Sequence, residues 1–476
     1  MTNAKREDLQ IKIPALLHLS RLGYEYLTRT QVRLRDRETN ILTDRLLEAA
    51  ERINGIRLTP EMSGSLMKDI RARLDAGDLG RQFYGMLRDG WNGIRLIDYE
   101  HPENNLFQST AELACGSGAG SFRPDITLFV NGLPLAMIEV KRRDRPGGLQ
   151  AEYDRMLDRI RSQERRRYLQ CAQIWAFSDD CEGDPGRFLP TEGPYYATVM
   201  TGDFPVYAVR EMHRGIYARL IPGKPEEEQR ILADNGIPEK PRTLVFRRDL
   251  SPRKPTHRML TTLFHPERFL FLLRYGIRYV QEENPAGEQL LTRRMLTTGQ
   301  LSMLKTLSGK AKKGYRNWTA PSCGAAGKEA ADASLVALLQ DLEPEARLYW
   351  VSEDETELRR DRTALRSCGI QCASWGNTAE GQLILLTADG DPKTMLQERE
   401  ERTFSGQRIF ILQQPVPKYG QKTAFHSGLR RADPNAILIT RTSDRTPDSR
   451  SAPVFSAQDD GVLYYFTVTK TDSAEG

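Results

Sequence analysis

Within positions 123–141, RPDITLFVNGLPLAMIEVK, three residues have the types and spacing for chemistry on a phosphodiester: Asp125, Glu139 and Lys141. Carboxylate oxygens are hard ligands suited to Mg2+, which takes only one or two of them from a protein and keeps several waters. Mn2+ accepts the same donors. A cation held by Asp125 and Glu139 would polarise a scissile phosphate and lower the pKa of a water enough to supply hydroxide at neutral pH. Lys141 would offset charge on the phosphate oxygens and orient the attacking water, as cationic clamps do at transferring phosphoryl groups.

Two strands must position these groups. The apolar runs on either side of Asn131-Gly132-Leu133-Pro134 read as a hairpin around a turn. Residues two apart in a strand share a face, so Glu139 and Lys141 project together, opposite Ala136, Ile138 and Val140. Asp125 is the harder case. With a four-residue loop at 131–134 and Val130 opposite Leu135, Asp125 pairs with Val140 and points away from Glu139. A shared cation needs Asp125 opposite Glu139 or Lys141, one residue out of that register. The spacing therefore predicts an odd-length loop or a β-bulge, a device common beside active sites. A regular edge hairpin with a solvated Glu/Lys end would carry the same residue types and no site.

The wording of this stretch resembles the nuclease domain of type I restriction endonuclease R subunits, a branch of the PD-(D/E)xK nucleases. Arg123-Pro124-Asp125, the Phe129-Val-Asn-Gly-Leu-Pro134 turn and the Ile138-Glu-Val-Lys141 strand carry the likeness. Upstream, Leu96-Ile97-Asp98-Tyr99 and Pro102-Glu103-Asn104-Asn105 are similar to the segment that precedes the nuclease core in that family. The opening, with Glu7 before a helix running to Leu22-Gly23-Tyr24, is similar too, so the likeness covers roughly the first 180 residues. It implies a mixed sheet flanked by helices, metal binding by Asp125 and Glu139, and Lys141 as the catalytic lysine. The family also has a Gln-x-x-x-Tyr motif on the following helix. Here Gln150 and Tyr153 have two residues between them, so that motif is left unassigned. Glu7 is either a further acidic ligand or an exposed carboxylate in the first turn of a helix.

At 476 residues the chain is long enough for two or three domains with substantial cores. No apolar run approaches the roughly 18 residues of a membrane span, and the start lacks a charged-then-apolar signal pattern, so a cytoplasmic protein with no membrane contact is expected. The six cysteines are scattered; Cys368 and Cys372 form a C-x3-C pair without a second pair or a nearby His to complete a zinc site. The net charge of +5 is uneven, because residues 141–170 hold ten Lys/Arg against five Asp/Glu. Arg142, Arg143 and Arg145 follow the catalytic strand directly and are candidates for phosphate-backbone contact, which is sequence-blind and salt-dependent. Arg165, Arg166 and Arg167 are read either as an extension of that patch or as a solvated helix with Glu/Arg pairs.

Past residue 180 the texture changes. Turns at 183–186 and 191–194 precede a strand-like 195–200, and the Pro- and charge-rich stretch 221–253 reads as a connecting arm. Helices are expected over 266–280 and 288–307. Strands are expected at 347–352, 383–387, 408–412, 436–440 and 462–469, alternating with helices as in a mostly parallel α/β domain. Their order resembles the first RecA-like lobe of the R-subunit motor. Gln300 falls where that motor has a glutamine near adenine, Trp318 to Glu329 where its P-loop lies, Arg441 to Arg445 where Asp-Glu-Ala-His-Arg lies, and Thr467 to Thr469 where Thr-Gly-Thr lies. The departures outweigh the matches. Lys328 is followed by Glu329 instead of the hydroxyl that holds Mg2+. Such a carboxylate would repel nearby phosphates. Arg441 and Thr442 stand where carboxylates are needed. With position 476 just past the last strand, a second RecA-like lobe is not expected either.

The resulting organisation is a PD-(D/E)xK nuclease domain at 1–215, a connecting arm and helix at 216–285, and a degenerate RecA-like domain at 286–476. The expected activity is Mg2+- or Mn2+-dependent DNA cleavage without ATP hydrolysis. It would be controlled by a partner protein or by a homodimer, in a setting of antiphage defence that the resemblance implies. A non-catalytic DNA-binding or scaffold subunit is the competing expectation.

Overall fold

A two-residue Asn-Gly turn and one extra residue in a strand determine where the acidic groups of the first unit lie. In the computed structural model the chain divides into two compact units, Met1–Arg274 and Tyr275–Gly476. The structure describes residues 8–116, 121–141, 148–162, 165–178, 180, 195–198, 207–208, 220–237, 254–283, 286–296, 298–311, 317–321, 328–376, 383–413, 422–442, 453–459 and 462–467.

In the first unit a wide helical turn, Asp8–Lys12, leads into α1 (Ile13–Arg21) and the short β1 (Glu25–Tyr26). Three helices follow, α2 (Thr43–Asn54), α3 (Pro60–Asp75) and α4 (Arg81–Asp89). Then come β2 (Phe107–Ala111), β3 (Ile126–Val130), β4 (Leu133–Val140), α5 (Gly148–Arg161), α6 (Arg166–Cys171) and β5 (Ile174–Ser178). β6 (Tyr195–Thr198) and β7 (Tyr207–Ala208) complete a seven-stranded sheet whose spatial order is the chain order. β2, β3 and β4 are antiparallel, whereas β4 through β7 run parallel. Every residue of β2 to β5 is buried, which explains why the two hairpin strands, β3 and β4, read as largely apolar runs. On one face Phe129, Met137, Trp175 and Phe177 meet Met156 of α5 and Tyr168 and Leu169 of α6. Each such side chain contributes about 1.5–3 kcal/mol relative to exposure.

The hairpin turn is shorter than its sequence suggests. Val130 pairs with Leu133, so Asn131 and Gly132 alone make the turn, both with positive φ (52° and 78°) as a type I′ hairpin requires. A Cβ on Gly132 would meet the Leu42 carbonyl at 2.5 Å. The buried Asn131 side chain accepts from the Leu106 N–H at 2.8 Å and donates to the Leu96 carbonyl and Asn105 Oδ1, both at 2.9 Å. Asn105 in turn donates to the Asp98 carbonyl at 2.7 Å. The 96–105 segment is therefore the buttress of the hairpin.

The stretch 221–253 contains more than a connecting arm. Pro225 sets the first turn of α7 (Pro225–Asp234), which packs on α1 and β1 and buries Ile231 and Leu232. Tyr26 donates to Asp234 at 2.7 Å. α8 (Pro255–Phe264) also packs on α1, where His18 Nε2 lies 2.7 Å from Thr261 Oγ1, and α9 (Pro266–Tyr275) ends this unit. The expected helix over 266–280 thus stops early.

The second unit opens with an antiparallel hairpin, β8 (Ile277–Glu283) and β9 (Gln289–Met295), where helix had been expected up to 280 and again from 288. Gly287, at φ 80°, provides the turn between two segments whose Leu and Arg content favours helix in isolation. α10 (Thr298–Ala311) and β10 (Asn317–Pro321) follow, and Gln300 is buried on α10. Then come α11 (Lys328–Leu342), β11 (Arg347–Ser352), α12 (Glu355–Ser367), β12 (Cys372–Ser374) and β13 (Leu383–Thr387). Two short helices, α13 (Pro392–Leu396) and α14 (Arg399–Thr403), lead to β14 (Arg408–Gln413), α15 (Lys422–Ala432) and β15 (Ile437–Thr442). Six strands form a fully parallel sheet in the order β10-β15-β14-β11-β13-β12, so the expected α/β organisation is present.

The last expected strand is not part of that sheet. β17 (Val462–Thr467) pairs antiparallel with β16 (Pro453–Asp459) in a separate two-stranded sheet. Thr467 therefore does not close a parallel strand beside β10, and positions 468 and 469 lie outside the described residues. β10 is an edge strand paired with β15, whose end holds Arg441 and Thr442, and β14 lies on the other side of β15. β14 closes on Gln413 and β15 on Arg441 and Thr442, so neither ends in a carboxylate. Positions 322–327, before Lys328, and 443–445 lie outside the described residues.

Candidate active site

The residue that brings the two acidic groups together is Leu135. From the turn, Phe129 pairs with Pro134, but the next pair is Leu128 with Ala136, which leaves Leu135 as a bulge. Beyond it Thr127 pairs with Met137 and Ile126 with Ile138; continued by one residue, this register sets Asp125 opposite Glu139. The expected bulge is present, and it offsets the even-length turn. Asp125, Thr127 and Phe129 share a face with Met137 and Glu139, under α5 and α6, where Thr127 Oγ1 lies 2.7 Å from the Tyr168 hydroxyl.

Backbone pairing fixes the end of β4. The Lys141 N–H donates to the Ser178 carbonyl of β5 at 2.8 Å, and the Val140 N–H donates to Asp125 Oδ2 at 2.8 Å. The Lys141 ammonium donates to the Val140 carbonyl at 3.0 Å. It also lies 3.5 Å from Asp125 Oδ2, 3.6 Å from Glu139 Oε2 and 3.6 Å from Glu152 Oε2. The three residues read from the sequence are thus gathered in one place.

Burial pushes the Glu139 carboxyl well above the ordinary carboxylate range, and the neighbouring Asp125 charge, the more distant Glu152 and a hydrogen bond with Asp125 push the same way against Lys141. Two carboxyl groups this close, with one of them buried, disfavour their joint ionisation unless a cation lies between them. Among the described residues no three His, Cys, Asp or Glu side chains form a ready-made metal cage. Two carboxylates nevertheless match the small number that Mg2+ draws from a protein, with water filling the other positions. The donor set of Asp125 and Glu139 therefore fits a hard divalent cation.

Glu152 did not emerge from the sequence. It lies on α5 between Gln150 and Tyr153, and it is this carboxylate that reaches Lys141. Tyr153 packs edge-on against Phe177 at 6.3 Å between ring centres. The side chain of Gln150, together with Glu7, Arg142, Arg143 and Arg145, lies outside the described residues. Of the distal basic run, Arg167 pairs with Asp75 at 2.7 Å and Glu38 at 2.9 Å, and Arg166 donates to the Asp75 carbonyl at 2.8 Å. These two arginines serve the packing of α6 against α3. The signal for Glu152 is a helical Glu with Arg at i+3 and i+7, close after β4.

Among the described residues no helix is long and apolar enough to cross a membrane. Residues 4–183 match the family described as type I restriction enzyme R protein N terminus. The chain is 36% identical over 117 residues to the Type I restriction enzyme HindI endonuclease subunit of Haemophilus influenzae, a match covering 21% of this chain and 11% of that protein. It is 29% identical over 143 residues to the Type I restriction enzyme SsaAORF53P endonuclease subunit of Staphylococcus saprophyticus, covering 29% of this chain and 15% of that protein. The matched regions are thus a small part of each relative's length. The hairpin, the buttress before it and strands β1 to β5 of the mixed sheet fall within the matched segment, and residues 4–183 form a domain of the type I restriction enzyme R protein N-terminal family.

Proposed function

We propose that this chain is a Mg2+-dependent DNA endonuclease that works without an ATP-driven motor. The observation that carries this reading is the bulge at Leu135, which sets Asp125 opposite Glu139 with the Lys141 ammonium within 3.6 Å of both. Bulges that re-aim a side chain are characteristic of the neighbourhood of active sites. A bound divalent cation supplies polarisation of the scissile phosphate and acidification of water. Asp125 and Glu139 would hold that cation, and the Val140 N–H fixes the Asp125 carboxylate through Oδ2. Lys141 balances charge on the phosphate oxygens and orients the attacking water.

Loss of the motor rests on the second unit. Lys328 and Glu329 open α11 with no hydroxyl next to the lysine, and the two parallel strands beyond β10 end without carboxylates. Cleavage is then triggered by something other than translocation, such as a partner subunit or a second copy on DNA, in a setting of antiphage defence. The relatives are named endonuclease subunits, which supports a multi-subunit assembly. The test is incubation of the purified protein with supercoiled plasmid and Mg2+ or Mn2+. Nicking that stops in chelator is expected; binding without nicking under every metal condition would favour a DNA-binding scaffold.

A further inference from the structure

We infer that Glu152 is a positioning residue that holds the Lys141 ammonium in place when a divalent cation occupies Asp125 and Glu139. The inference rests on the reading of those three residues as the cleavage site.

The Lys141 ammonium donates to the Val140 carbonyl at 3.0 Å and lies at nearly equal distances from three carboxylates. Two of them are the groups a cation would claim. With a cation between them, Asp125 and Glu139 would no longer anchor the ammonium, which would keep the Val140 carbonyl on its own strand and Glu152 on α5. Among the carboxylates described around Lys141, Glu152 is the one such a cation would leave to it. It comes from a different element, α5, and its side chain is only 8% exposed. Its own position is fixed from both sides: Oε2 pairs with Arg155 and Oε1 with Arg159 at 3.3 Å. Arg159 is steadied in turn by lying 4.7 Å over the Phe122 ring. Met156, one turn on from Glu152, is buried in the core beneath, so α5 cannot rotate Glu152 away without exposing it. A lysine has four flexible bonds to its ammonium, so an acceptor that survives metal binding is what keeps it aimed at a phosphate. Two arginines on a single carboxylate also leave it a weaker partner for the lysine than a free carboxylate would be, which suits a group that must hand the ammonium to substrate.

The experiment compares full-length wild type, Glu152→Ala and Glu152→Gln, with Mn2+ as the metal probe. The extent of reductive methylation of Lys141 is read by mass spectrometry with and without Mn2+. Wild-type Lys141 stays protected in both conditions, whereas in Glu152→Ala addition of Mn2+ raises labelling several-fold; Glu152→Gln, which keeps an acceptor oxygen, is intermediate. In plasmid nicking, Glu152→Ala loses about ten- to a hundredfold in kcat, the range for partners of a metal site's inner groups, with KM for DNA unchanged. Equal Lys141 labelling in Glu152→Ala and wild type with Mn2+, or nicking at the wild-type rate, would overturn the assignment. Should Glu152→Ala fail to fold without its arginine partner, Glu152→Gln supplies the same comparison. If wild type binds Mn2+ and shows the labelling pattern but never nicks DNA, the cleavage reading fails while the Lys141–Glu152 clamp stands. Nicking by wild type without the labelling difference removes the clamp alone.

Discussion

Glu139 is the residue on which the site's electrostatics turn. Its carboxyl is buried beside Asp125 and Glu152, so the folded protein holds its proton more tightly than the unfolded chain does. The stability this contributes is fully present below the ordinary carboxylate range and is lost as pH rises through the elevated pKa. Glu139→Gln is therefore expected to melt higher than wild type at neutral pH without metal, with the difference vanishing as pH is lowered to about 4. Adding Mn2+ should raise the wild-type Tm and leave that of Glu139→Gln nearly unchanged. Thermal melts across pH, with and without Mn2+, check both statements; a wild type more stable than the variant at neutral pH without metal would contradict them. At this scale the sequence was informative. Period-two geometry put Glu139 and Lys141 on one face, and the need for a shared cation required the bulge. Glu152 was not legible because its contact with Lys141 depends on where α5 docks, and Gln150 and Tyr153 on that helix lack the Gln-x-x-x-Tyr spacing.

Among elements, the hairpin of β3 and β4 is the part whose geometry the site depends on. Its turn is anchored through Asn131, which is buried and joins Leu96, Asn105 and Leu106. Asn131→Ala strands an N–H and a carbonyl and puts a β-carbon residue without a polar side chain at positive φ. It should cost about 2 kcal/mol or more, since each buried unsatisfied group costs ~1–3 kcal/mol. Denaturant unfolding measures this, and a cost within error of zero would mean that the 96–105 segment is not a buttress. Of the two devices the spacing allows, an odd-length loop or a bulge, the hairpin has the bulge, and Asn131-Gly132 alone make the turn within the Asn131–Pro134 stretch read as one. The structure shows Pro134 inside β4, next to the bulge, where its missing N–H is tolerated. The same mixture of success and failure marks the second unit. Parallel strands were legible from their apolar runs, whereas β8 and β9 were taken for helices because pairing overrides the helical preference of their Leu and Arg residues.

For the whole molecule, the two units carry different expectations. The first gathers Asp125, Glu139 and Lys141, on which the proposed metal-assisted cleavage rests, and in the second the described ends of β14 and β15, Gln413 and Arg441-Thr442, carry no carboxylate. DNA-stimulated phosphate release from ATP should be absent, and Mg2+-ATP should leave the nicking rate unaltered at constant free Mg2+. ATP turnover stimulated by DNA would restore a motor. The sequence expected a second α/β part and the parallel sheet is there, but the strand at 462–467 pairs with β16 outside that sheet, because membership of a sheet is a long-range property that strand order along the chain does not fix. The most direct test of the central claim is Mg2+-dependent nicking of supercoiled plasmid by wild type and by Glu139→Ala, the two matched for far-ultraviolet circular dichroism. The account predicts nicking by wild type that chelator abolishes and none above background by Glu139→Ala; equal nicking by the two proteins would contradict it.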